Sequence, residues 1–171
     1  NWQYSFVNKR DRAERYSQKP TLILITGEEG TGRKDIAKQL EKNLFDSGRV
    51  TFYMGMQNIL LGVEADIPKD SERVENHKEI MRRLGEVGNI MLHAGNLFIV
   101  TAIGIRNQDI EILKTTLNGA IETIWVGEDV TTDLTPDLHL DSFNNTNEAV
   151  NKIKDYLGIK GIIFNSWVYS I

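Results

Sequence analysis

The sequence predicts a single α/β domain in three layers, with a mostly parallel sheet of about five strands covered by helices on both faces. Short apolar runs alternate with segments of helical period along the whole chain. Two of the runs, residues 21–26 and 96–103, are apolar at nearly every position, as strands buried on both faces are. A glycine-rich loop joins the first run to the first long helical pattern. At 171 residues, with 40% hydrophobic and 26% charged residues, the chain suits one core.

The elements follow in order. Residues 1–20 read as an N-terminal arm or linker, in which Lys9, Arg10, Arg12, Arg15 and Lys19 mix with Asp11 and Glu14, and Trp2, Tyr4, Phe6 and Tyr16 are interleaved. Such a lead-in serves as a short helix on its own domain, or as a contact for a neighbouring domain or nucleic acid. Residues 21–171 read as the domain proper. The strand at 21–26 leads through the loop at 27–32 into a helix with apolar positions Ile36, Ala37, Leu40 and Leu44, which Gly48 ends. Residues 50–54 read as a second strand and 73–95 as a long helix through Val74, Ile80, Leu84, Val87, Met91 and Leu92. The third strand at 96–103 precedes a helix at about 107–117 and a strand at 120–126. A polar crossing with Pro136, a short strand at 138–140 and a helix at 146–157 complete the pattern.

Composition removes several functions. The chain has no cysteine, which excludes disulfides, thiolate metal sites and cysteine nucleophiles. His77, His93 and His139 have no metal-ligand spacing, so no metal site is predicted from them. The longest apolar runs are strand-sized, so no membrane span is expected. A net charge of −4 argues against nonspecific nucleic-acid binding. With Asn1 first and no signal peptide in view, the reading is a cytoplasmic domain that begins inside a longer protein.

The loop Gly27-Glu28-Glu29-Gly30-Thr31-Gly32-Arg33-Lys34 lies between a predicted strand and a predicted helix, the setting of a phosphate-binding loop. Gly27, Gly30, Thr31, Gly32, Arg33 and Lys34 are therefore the phosphate-binding candidates. In a working loop of this kind a lysine reaches the terminal phosphates and the next hydroxyl ligates magnesium. Here Arg33 stands at the lysine position and Lys34 at the hydroxyl position, while Glu28 and Glu29 bring two carboxylates to the phosphates. A turn that keeps its glycines without binding phosphate fits the same residues.

These residues resemble the adenylylsulfate kinase family, P-loop enzymes that transfer the ATP γ-phosphate to the 3′ hydroxyl of adenylylsulfate. Gly27, Gly30 and Gly32 keep the glycines of the family's loop. Ser71-Glu72-Arg73-Val74-Glu75-Asn76, continued by Arg82, Arg83, Leu84, Gly85, Glu86 and Val87 to Ala94-Gly95, is similar to its Asp-Arg-x-Glu-Asn helix. Pro136-Asp137-Leu138-His139-Leu140-Asp141 resembles its Pro-x-Leu-x-Leu-Asp strand. Trp2-Gln3, Arg12, Arg15 and Gln18-Lys19-Pro20 resemble the junction of kinase domains fused behind the GTPase subunit of sulfate adenylyltransferase, which implies that GTPase domain as a partner in the same chain. The resemblance implies Mg-ATP as cofactor and adenylylsulfate or 3′-phosphoadenylylsulfate as ligand, with Arg73 and Asn76 as substrate-binding candidates; a homo-oligomer also fits.

The departures fall on the chemistry. The family's Asp-Gly-Asp-Asn after the second strand, implied to serve magnesium and the attacking hydroxyl, is Met54-Gly55-Met56-Gln57 here. Its Phe-Ile-Ser-Pro-Tyr, which lines the substrate pocket, is replaced by Ala102-Ile103-Gly104-Ile105, and its long basic lid by residues 127–135. The expected function is a degenerate adenylylsulfate-kinase-like domain with no confident catalytic residue, binding a sulfonucleotide in a regulatory or structural role. An active kinase using Arg33 or Lys34 with Asp66 or Asp70, and an interaction module without nucleotide, are the alternatives.

Overall fold

The computed structural model describes residues 5–56 and 73–165, with the side chains of 73–75 outside that description. In chain order the elements are α1 (Lys9–Tyr16), β1 (Thr21–Gly27), α2 (Arg33–Asp46), β2 (Thr51–Gly55), α3 (Arg73–His93), β3 (Leu97–Ala102), α4 (Asn107–Leu117), β4 (Ile121–Val126), β5 (Leu138–Leu140) and α5 (Thr146–Ile159).

The five strands form one sheet in the order β2-β3-β1-β4-β5, and every pairing is parallel. Central β1 lies between β3, with Leu22 opposite Phe98, and β4, with Leu22 opposite Ile121. All residues of β1 and β3 are buried, which is why both read as continuous apolar runs. Alternate side chains feed two cores. Leu22, Leu24, Phe98, Val100 and Trp125 meet Met81, Leu84, Leu113 and Leu117 of α3 and α4. Ile23, Ile25, Leu97, Ile99 and Ile124 meet Leu40, Leu44, Val150 and Ile153 of α2 and α5. This is the three-layer sandwich expected from the sequence.

Capping sets several helix starts. Asn8 accepts the Asp11 amide at 2.8 Å, and the Asp11 carboxylate accepts the Asn8 amide in return, so α1 begins with a capping box. Asn145 accepts the Glu148 amide at 2.9 Å at the start of α5. The basic lead-in lies on the domain at the end of the sheet opposite the glycine-rich loop. A Cβ at Gly95 would stand 2.9 Å from the Tyr16 ring, and buried Gln18 donates to the carbonyls of Val50 and Gly95 at 2.6 and 2.8 Å. Arg49 donates to the Phe164 carbonyl at 3.2 Å and also to Ser17, tying the lead-in to the far end of the chain.

Candidate functional site: the glycine-rich loop and its crossing strap

The loop is built by backbone the sequence can supply only with glycine. Gly27 closes β1 with φ +152°, and a Cβ there would lie 2.3 Å from the Val126 carbonyl oxygen of the neighbouring strand. Gly32 caps α2 in the left-handed region at φ 87° and makes no side-chain cap hydrogen bond to the first amides of that helix. An anion above a helix start meets those amides and the positive end of the helix dipole.

The two cations that follow part ways. Arg33 is only 8% exposed and lies beneath the loop, where its Nη1 donates to the Glu28 carbonyl at 3.3 Å. Its Nε is buried without a hydrogen-bond partner. Lys34, one position on, is exposed. Thr31 donates to the same Glu28 carbonyl at 2.8 Å, so two side chains hold the loop from inside. Glu28 and Glu29 are exposed, and the Glu28 carboxylate accepts the hydroxyl of Thr131.

That last bond comes from the crossing between β4 and β5, which is pinned along its length. Thr132 donates to the Ile105 carbonyl at 2.7 Å. The Asn107 backbone amide donates to the Asp133 carboxylate at 3.1 Å, its side chain donates to the Asp133 carbonyl at 2.7 Å, and it accepts the Thr135 amide at 3.0 Å. The Gly127 amide donates to the Leu140 carbonyl at 3.0 Å, and the Gly127 carbonyl accepts from His139 Nε2 at 2.6 Å, which fixes that ring nitrogen as N–H. The crossing is therefore a strap running from β4 to the loop after β3.

Beneath the strap the chemistry is apolar. Leu134 of the strap is buried with Ala102, Ile105 and Trp125 in one core cluster, against which Met54, Met56 and the strap's own Val130 pack. The indole N–H of Trp125 and the hydroxyl of Thr26, on neighbouring strands, are both buried without partners. On the other face of β2, the Tyr53 and Thr101 hydroxyls pair at 2.9 Å.

Of the substrate-binding candidates, Asn76 is half-buried in the first turn of α3 and makes a polar interaction there, while the Arg73 side chain lies outside the described residues, as do Gln57, Asp66 and Asp70. One position along from Asn76, His77 Nε2 lies 2.8 Å from the buried Asp109 carboxylate, whose other oxygen accepts the Arg106 amide at 2.9 Å. Sequence reading missed this link between α3 and α4, because His77 and Asp109 carry no local pattern that joins them. The same holds for Glu28 with Thr131.

Magnesium fits this donor set poorly. An ammonium, Lys34, stands where a ligating hydroxyl would, the Thr31 hydroxyl is spent on a carbonyl, and β2 ends in methionine and glycine. Among the described residues no group of three or more histidines and carboxylates is placed to hold a metal ion, and none of their helices is long and apolar enough to cross a membrane.

The chain and its fold have counterparts among known proteins. The chain is 38% identical over 102 residues to an adenylyl-sulfate kinase of Aeromonas hydrophila, covering 59% of this chain and 49% of that protein. It is 38% identical over 104 residues to the bifunctional enzyme NodQ of a Rhizobium species, covering 60% of this chain and 16% of that one. The chain thus spans about half or less of these relatives' length. In structure it matches the APS kinase of Mycobacterium tuberculosis in complex with AMPPNP and APS, with a TM-score of 0.69 at 18% identity, over 82% of this chain and 99% of that one. A hexameric APS kinase from Thiobacillus denitrificans matches with a TM-score of 0.66 at 17% identity, over 85% of this chain and 30% of that one. The family model described as adenylylsulphate kinase matches residues 19–159, from the end of the lead-in through α5, and the chain belongs to that family.

Proposed function

We propose that this is a degenerate adenylylsulfate-kinase-like domain of sulfate assimilation, impaired as a kinase, that binds adenylylsulfate or 3′-phosphoadenylylsulfate in a regulatory or structural role. The observation that carries the reading is the loop's cation: Arg33 is buried under the loop and bonded to the Glu28 carbonyl, while Lys34 occupies the position of a magnesium-ligating hydroxyl. Phosphoryl transfer depends on positioning and on charge placed where it develops in the transition state. A guanidinium committed to the loop's own backbone has the wrong shape and reach for that task. The apolar packing of Ala102, Ile105 and Leu134 under the strap supports the same reading, because it offers no oxygen to an attacking hydroxyl.

Binding would use Gly27, Gly30, Thr31 and Gly32 around the phosphate, with Arg33 and Lys34 as the cations, and Arg73 and Asn76 on α3 for the sulfonucleotide. A ligand that prefers one arrangement of the domain would bias an attached domain through linkage. The match within the much longer bifunctional NodQ supports fusion to a further domain, for which the GTPase part of sulfate adenylyltransferase is the proposed partner, and the hexameric relative supports self-association. The reading of an active kinase draws on the similarity to the Aeromonas enzyme. The two are separated by a turnover assay with Mg-ATP and adenylylsulfate beside titrations of the sulfonucleotides. Sulfonucleotide binding without product supports the degenerate reading, and sustained product formation removes it.

A further inference from the structure

The poor fit to magnesium has a constructive side. A guanidinium that is more than nine-tenths buried, with one long hydrogen bond and an unpartnered Nε, lies under a helix start whose cap has no side-chain acceptor. Burying a cation so incompletely paired is costly unless an anion completes its bonds. Lys34 adds an exposed ammonium at the next position of the same helix start, and α2 runs for 14 residues, long enough for a full dipole contribution at its first turn. The opposing charges are Glu28, Glu29 and Asp35, all exposed, with the Glu28 carboxylate held by Thr131 of the strap.

From these groups we propose that the loop binds a polyphosphate without a metal ion, the Arg33 guanidinium and the Lys34 ammonium supplying the positive charge that magnesium would otherwise bring. The proposal rests on the reading of a binding domain impaired as a kinase, and extends it by naming the ligand's chemistry and its independence of metal. The polyphosphate is either that of a nucleotide or free pyrophosphate. Arg33 keeps its Nη1 bond to the Glu28 carbonyl and has its unpartnered Nε left to donate to a phosphate oxygen, while Lys34 supplies a point charge for the next phosphate. Because both cations belong to the chain, a chelator should leave affinity intact, and magnesium should compete with the lysine for the same oxygens.

The test is calorimetric titration of the whole chain with inorganic pyrophosphate and, separately, with ATP, each in excess EDTA and each in excess magnesium. The expected result is binding in EDTA at least as tight as in magnesium, weakened about tenfold in Arg33→Met and severalfold in Lys34→Gln. Lys34 is exposed, so Lys34→Gln keeps the test informative if Arg33→Met unfolds. Binding of both ligands assigns the site to pyrophosphate groups in general, and binding of ATP alone assigns it to nucleotides. Binding seen only with magnesium, or in neither condition, overturns the proposal. Product formation in the separate assay with Mg-ATP and adenylylsulfate would instead overturn the degenerate reading, so the two failures are told apart.

Discussion

Gly27 shows how much a single position carries. Its φ of +152° and the 2.3 Å approach of the Val126 carbonyl leave no room for a Cβ. Gly27→Ala should lower stability by about 2 kcal/mol or more, read from the urea midpoint of unfolding, because both strain and a backbone clash enter. Gln18 is the comparable residue at the opposite end of the sheet. It is fully buried, and its amide serves two carbonyls, those of Val50 and Gly95. Gln18→Leu removes both bonds while keeping much of the volume, and a loss of about 2 to 3 kcal/mol is expected in the same measurement. The glycine was readable from the loop's spacing. The glutamine was not, since its partners lie 32 and 77 residues away and nothing in the local pattern points to them.

At the scale of elements, long apolar periodicity was the most legible signal. The helix at 107–117 and the strand at 138–140 stand where the pattern puts them, and β1 to β4, α3 and α5 differ from it by a residue or two at their ends. The strap was legible only as a short polar crossing in place of a lid. Its character comes from bonds to Glu28, Ile105 and Asn107, which a linear reading does not join. Asn107→Ala removes two side-chain bonds to the strap, so amide exchange across 131–135 should accelerate by roughly tenfold while global stability changes little. Between α5 and β4, the Tyr156 hydroxyl donates to the Glu122 carboxylate, and burial together with that carboxylate raises the tyrosine's pKa above its ordinary value of 10.0. The neutral phenol is the form the fold prefers. Its contribution is therefore complete below pH 10 and is lost as pH rises above that value. The urea midpoint should fall at alkaline pH, and Tyr156→Phe should show a smaller fall over the same range.

For the molecule as a whole, the fold and the family were legible because they rest on features spread along the chain: the strand-helix alternation, the loop glycines, the motif carried by α3 and the strand around Leu138. The state of the site was less so. Arginine at the lysine position is visible in the sequence, but its turning inward to the Glu28 carbonyl follows from how α2 seats on the sheet, and that is set by core contacts of Ile36, Ala37 and Leu40. The packing beneath the strap likewise joins Ile105, Trp125 and Leu134 from three separate segments. A phosphate loop whose cation is committed to its own backbone, over an apolar floor, should bind without catalysing transfer. Single-turnover conversion of adenylylsulfate, with the chain in excess and saturating Mg-ATP, measures this most directly. No product above the uncatalysed background is expected while adenylylsulfate remains bound. Product at about 1 per second or faster, within the ordinary range of kinases, would contradict it.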